Sequence, residues 1–248
     1  MIAKRPRRTF DRILDVTLTL FNRFGEPNVS TSQLCGEMGI SPGNLFYHHP
    51  TRDALVAALF QRYAQALDAV LQIHESTPPQ PLRVSIEEPS PWWHALDPPL
   101  ARLSWLCEDL ARTARTYRFL YRDLSDLVSR HRVLEEGLPA LLRRQEHALH
   151  QALSALPWEH EESASESVAV WSGLLLASLT GCIGLDGALD PRERLGGTDE
   201  QFIQRALGRA LGTICPALSP TVRDALSTHL SRGDVLGSNP WWLRPSDG

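Results

Sequence analysis

Residues 29–55 read VSTSQLCGEMGISPGNLFYHHPTRDAL, and this stretch decides the fold. Ser30 and Gln33 have capping-box spacing: a serine hydroxyl accepts from the amide three residues on, and the glutamine reaches back to the serine amide. A helix is predicted from about Thr31 to Met38. Gly39 sits where that helix must stop and reverse, a position that favours positive φ. Ser41 caps a second helix, about Pro42 to His48, and Pro42 in its first turn forfeits no needed hydrogen bond. Two helices this short are marginal alone. Joined by so tight a turn they make a helix-turn-helix, a unit whose second helix enters a DNA major groove.

The run Gly39-Ile40-Ser41-Pro42-Gly43-Asn44-Leu45-Phe46-Tyr47-His48, followed by Thr51-Arg52-Asp53-Ala54-Leu55, resembles the DNA-binding domain of the TetR family of bacterial transcriptional regulators. The likeness extends from about Arg8 to Ala66. Two positions depart from the family pattern. Phe46 stands where a tyrosine is usual, so one phosphate-contacting hydroxyl is missing. His49 stands where an apolar ring usually packs. The resemblance implies an all-α protein: a three-helix helix-turn-helix domain over residues 1–50, then a larger helical domain over 51–248 that binds an effector and dimerises. It further implies a homodimeric repressor released from a pseudo-palindromic operator by a small molecule.

The rest of the chain is compatible with that expectation. Its 248 residues suffice for one small and one larger domain. The net charge of −4 is unevenly spread. Residues 1–52 carry seven basic side chains against four acidic ones, net +3, which leaves −7 on the remainder. A positive head on an acidic body suits a polyanionic partner. Behind Met1-Ile2-Ala3-Lys4-Arg5-Pro6-Arg7-Arg8 no signal-peptide apolar run follows. The longest apolar stretch, Val168 to Leu185, is interrupted by Ser172, Gly173, Ser178, Thr180 and Gly181, so no membrane span is expected and a cytoplasmic protein is predicted. Cys35, Cys107, Cys182 and Cys215 form no C-x-x-C pair, which suggests reduced thiols rather than a zinc site. No cofactor is implied.

Residues 1–8 read as a basic arm. A first helix opens at Thr9 or Asp11, carries the apolar stripe Phe10, Ile13, Leu14, Thr17, Phe21 and Phe24, and ends at Gly25. Thr51 caps a fourth helix running to about Ile73. The proline-rich stretch from Ser76 to Pro99 marks a break, with Trp92 and Trp93 inside it. Further helices are predicted around Leu103–Ala114, Phe119–Val128, Leu138–Leu156, Glu166–Leu185, Asp199–Cys215 and Thr221–Leu230. The segment Glu166–Leu185 is apolar nearly all round and is expected to be central. Trp241 and Trp242 lie in the C-terminal tail.

Mapped residue by residue, the family pattern puts Ser41, Pro42, Gly43, Asn44, Tyr47 and His48 at the DNA face and turns Leu45 inward. Asn44 can donate and accept at once, which suits an adenine edge, and Pro42 suits a thymine methyl. Gly43 allows close approach. Tyr47 and His48 offer hydrogen bonds to phosphates, which set register. Thr31 and Ser32 add donors for the backbone, and Arg52 is expected to clamp a phosphate. One such helix makes a small interface, so two copies are needed. The expected dimer surface is built from Leu175, Leu179, Phe202, Ala206, Leu207, Ala210 and Leu211, with the monomer core as the other use of these residues. Trp105, Tyr117, Tyr121, His147 and Trp171, each an apolar body with a polar handle, are the effector-pocket candidates; satisfied core positions are the other use of each.

Two further functions fit parts of the sequence. An architectural DNA-binding protein without an effector shares every feature above. An all-helical metal enzyme would need ligands such as Glu146, His147 and His150, or His160 among Glu159–Glu162, but no H-E-x-x-H or paired E-x-x-H pattern occurs. No metal site and no enzyme is therefore expected.

Overall fold

A computed structural model describes residues 5–76, 96–159, 164–189 and 198–232. Trp92, Trp93, Trp241, Trp242 and His160 lie outside them, as do residues 1–4 of the basic arm. Eleven α-helices and no named strand occur among the described residues: α1 Arg5–Phe24, α2 Thr31–Met38, α3 Pro42–His48, α4 Arg52–Ser76, α5 Pro98–Thr116, α6 Phe119–Arg122, α7 Leu124–Arg130, α8 Arg132–Ser154, α9 Ala164–Leu189, α10 Asp199–Ile214 and α11 Pro220–Arg232. The fold is all-α, with a helix-turn-helix domain followed by a helical C-terminal domain.

Helix α1 starts earlier than predicted, taking residues 5–8 of the expected arm into the helix. Helix α8 also starts earlier, at Arg132 rather than near Leu138, which places Pro139 inside it. A proline there removes one backbone bond. Leu134, Leu138 and Leu141 are all buried and carry one apolar stripe across the gap.

The chain forms two compact units. The first comprises the described residues up to Leu67 together with Thr116–Leu141; the second comprises Asp68–Arg115 and the described residues from Leu142 onward. The unit holding the helix-turn-helix thus takes in α6, α7 and the start of α8, a composition that a linear division at residue 50 does not have.

In the first unit α1 packs on α2 and α6, and α2 packs on α3. Ile13, Leu14, Thr17 and Phe21 of α1 are buried with Leu34, Cys35 and Met38 of α2, Leu45 of α3, and Leu55, Val56, Leu59 and Tyr63 of α4. The Phe21 and Phe119 rings meet at 5.5 Å. Asn22, buried among them, donates to the Thr116 carbonyl and accepts from the Phe119 amide, so α1 holds the start of α6 by its backbone.

In the second unit α9 packs along α10. Thr198 and Gln201 form a full capping box at the start of α10. Arg115 pairs with Asp199 and Arg112 with Glu200, and the Arg115 guanidinium lies 4.7 Å from the centre of the Phe202 ring. All four cysteines are free thiols; burial pushes Cys107 up to about 12, leaving it an inert packing residue.

Within α9, Ser167–Leu189 is long and apolar enough to cross a membrane by length and composition, which corrects the expectation that no segment qualifies. Its small interrupting residues were read as disqualifying, yet an apolar helix tolerates them. A helix packed inside a protein satisfies the same test, and one side of α9 is buried against α10.

Candidate nucleic-acid interface

The helix-turn-helix forms through local backbone chemistry. Ser30 Oγ accepts from the Gln33 amide at 3.1 Å and Ser41 Oγ from the Asn44 amide at 3.3 Å. Gly39 takes φ 64°, ψ 36°, and the Ile40 amide donates back to the Cys35 carbonyl at 3.1 Å. That left-handed step turns the chain from α2 into α3. Leu45, 2% exposed, is the one buried residue of α3 and anchors it.

The remaining side chains of α3 are arranged by helical register. An α-helix turns roughly 100° per residue, so Gly43 and Tyr47 lie roughly opposite Leu45. Pro42 and Phe46 lie along one flank, Asn44 and His48 along the other. Ser41, Pro42, Gly43, Asn44, Phe46 and Tyr47 are exposed, Tyr47 to 82%, and His48 is half-buried. The Tyr47 ring meets the His48 ring edge-on at 5.1 Å. Ser32 is exposed and Thr31 half-buried at the start of α2. The α3 positions expected at a DNA face are thus together on one outward surface, and Phe46, for which only a lost hydroxyl was noted, shares it.

Arg52 differs from expectation. Its guanidinium turns inward to the Glu26 carboxylate, to the Glu26 carbonyl and to the Val29 carbonyl. Glu26, in the turn after α1, is fully buried and also receives Arg130 from the end of α7 at 2.7 Å. Burial alone would raise this carboxyl, but the hydrogen bonds and charges of Arg52 and Arg130 outweigh it and hold the group below its ordinary value. A buried carboxylate needs such partners, which is why Arg52 is drawn in rather than left for a phosphate. No local pattern marks Glu26, because Arg130 is 104 residues away.

His49, C-terminal to α3, is also inside. Its ring is 3% exposed and stacks on Phe10 at 4.5 Å, with Nε2 buried and unpaired. Burial, then the nearby charges of His48 and Arg62, lower its pKa. Its surroundings thus disfavour the charged form of the ring, which packs where the family pattern has an apolar one.

The five effector-pocket candidates divide between the two units. Tyr117 and Tyr121 belong to the first unit, both buried, with rings edge-on to Tyr63; the Tyr121 and Tyr63 hydroxyls share a hydrogen bond of 2.5 Å. Trp105, His147 and Trp171 belong to the second unit. His147 is exposed and bonds Gln151 one turn on, a surface role. Trp171 is half-buried on α9. Trp105 meets a residue the sequence reading missed: His74, buried on α4, lies 4.2 Å from the Trp105 ring, bonds Asp109 through Nε2 at 2.9 Å and leaves Nδ1 unpaired. Its signal was legible, since His74 continues the core stripe Leu67, Leu71.

Leu175, Leu179, Phe202, Ala206, Leu207, Ala210 and Leu211, expected at a subunit interface, are all 2% exposed or less within the single chain. They belong to its core, because the apolar faces of α9 and α10 cover each other. What α9 leaves exposed is a second apolar stripe: Val170, Leu174, Ala177, Gly181, Leu185 and Leu189. No group of three or more metal-ligating side chains occurs among the described residues.

An all-helical protein with an exposed, capped recognition helix belongs to the class of helix-turn-helix proteins. Two family models match it. The one described as bacterial regulatory proteins, tetR family, matches residues 13–59, and the one described as TetR, bacterial transcriptional repressor, matches residues 62–160. The chain belongs to the TetR family of bacterial transcriptional regulators, which are not enzymes.

Solved structures share the fold. A TetR-family transcriptional regulator from Marinobacter aquaeolei VT8 is 22% identical, covering 90% of this chain and 98% of its own, with a TM-score of 0.67. A gamma-butyrolactone receptor (ArpA-like protein) is 16% identical over 92% and 98%, with a TM-score of 0.58. A regulator from Saccharomonospora viridis, solved in complex with choline, is 15% identical over 81% and 94%, with a TM-score of 0.55. No curated protein matches the chain.

Proposed function

We propose that this chain is a cytoplasmic, homodimeric DNA-binding repressor that leaves a pseudo-palindromic operator when a small molecule binds. The observation that carries the reading is α3: one buried anchor, Leu45, and an outward surface of Pro42, Gly43, Asn44, Tyr47 and His48. Asn44 supplies base-edge hydrogen bonds; Tyr47, His48, Thr31 and Ser32 hold phosphates. Ser41 serves as the cap, and Arg52 braces the start of α4. Residues 1–50 carry the DNA contacts and residues 51–248 the effector and dimer functions.

Two copies are needed to span two half-sites. The exposed stripe of α9 is the self-complementary surface, since Gly181 and Ala177 permit close approach and Val170, Leu174 and Leu185 supply burial. Effector binding falls to the second unit, around Trp105 and His74. The regulator from Saccharomonospora viridis was solved with choline, which supports a small-molecule ligand. A ligand that favours one of two arrangements releases DNA by shifting their populations.

The test is selection of duplexes from a random library by the full chain, followed by band-shift titration at rising salt. An inverted repeat bound well above bulk DNA is expected, and Tyr47→Phe should weaken it several-fold. Leu174→Arg should give a monomer by light scattering and weaken operator binding. Recovery of no sequence preferred over bulk DNA refutes the function.

A further inference from the structure

Resting on the DNA-binding reading above, we propose that Phe46 is a specificity-determining residue that reads thymine: its ring, with Pro42 one turn before it, seats on thymine C5-methyl groups in the major groove.

Phe46 is the most exposed of the seven phenylalanines, at 47%, whereas Phe21, Phe60, Phe119 and Phe202 are buried. A single exposed apolar side chain is ordinary, but Phe46 is not alone on its flank of α3. It is not needed to hold α3 in place, because Leu45 does that. Its neighbour on the same flank is Pro42, also exposed and also without a side-chain donor or acceptor. The opposite flank carries Asn44 and His48, which have both. The recognition helix is therefore divided lengthwise into a polar and an apolar edge, with Gly43 and Tyr47 between them.

That division has a counterpart in DNA. Every base pair presents hydrogen-bonding groups to the major groove, and thymine alone adds a methyl. A phenyl ring pressed on the polar edges would strip them of water and return no hydrogen bond, which is costly. Against a methyl the same ring gains burial. Loss of the usual hydroxyl at this position thus exchanges a register-setting contact for a base-reading one.

The experiment uses the duplex selected above, with each thymine of a half-site replaced in turn by uracil, which removes only the methyl. Wild type, Phe46→Ala, Phe46→Tyr and Pro42→Ala are titrated. At one or more thymines, uracil should weaken wild type roughly fourfold, the worth of one buried methyl group. Phe46→Ala should show no uracil penalty there, and Phe46→Tyr, which keeps the ring, should retain it. The ring is exposed, so Phe46→Ala should melt like wild type. An unchanged uracil profile in Phe46→Ala, no uracil penalty in wild type, or a penalty abolished only by Pro42→Ala overturns the assignment while DNA binding stands. If no duplex is selected over bulk DNA, the functional reading falls and takes the assignment with it.

Discussion

The α2–α3 pair and the α9–α10 pair are held by different physics. The first is two short helices fixed at their ends: Ser30, Gly39 and Ser41 satisfy or redirect backbone groups within a few residues of themselves. One leucine anchors α3, and its other side chains are exposed or half-buried. The second is two long helices fixed along their length, with Leu175, Leu179, Phe202, Leu207 and Leu211 all out of water. Local capping sets where a helix lies; lengthwise burial sets how firmly. A region that must meet DNA can be specified cheaply at its ends, and the firmness is placed elsewhere.

Substitutions can break that contrast. The largest effect is expected in the second pair: Phe202→Ala removes a buried ring and the surface on which Arg115 rests, and should cost about 4 kcal/mol in urea unfolding. In the first pair, Gly39→Ala forces a side chain into left-handed backbone and should cost about 1–2 kcal/mol. Equal losses at the two sites would show that the turn, too, depends on burial. Ser41→Ala removes the α3 cap and should cost about 1 kcal/mol, read as a lower melting temperature.

The smallest effect is the pH dependence of His49. Its pKa is lowered in the folded chain, so the unfolded chain binds the proton more readily. The stability it contributes is complete above the ordinary imidazole value of about 6.5, and is lost as the pH falls from there through the lower folded value. His49→Phe should flatten that part of the stability–pH curve. An unchanged curve would show that the buried imidazole does not control it.

The same contrast explains what the sequence could disclose. The limits of α2 and α3 were legible to the residue, because caps and turns act over three or four positions. Helix α8 begins at Arg132 rather than near Leu138, because burial of Leu134, Leu138 and Leu141 carries it through Pro139. In α9, apolar on every side, nothing in the helix itself says which face meets α10. Arg52 was legible as a basic residue at a helix start, but not as the partner of Glu26, since the competition between a phosphate and a buried carboxylate is decided by tertiary structure.

The Glu26 centre constrains how this protein can change over generations. Remove Arg52 or Arg130 alone and the buried Glu26 carboxylate keeps only one of its two guanidinium partners; remove Glu26 alone and both guanidinium groups lose the carboxylate between them. Single steps away from this arrangement are penalised, whereas replacing all three by apolar residues is not. Positions 26, 52 and 130 are therefore expected to change together, and relatives that keep two members while lacking the third would break that expectation.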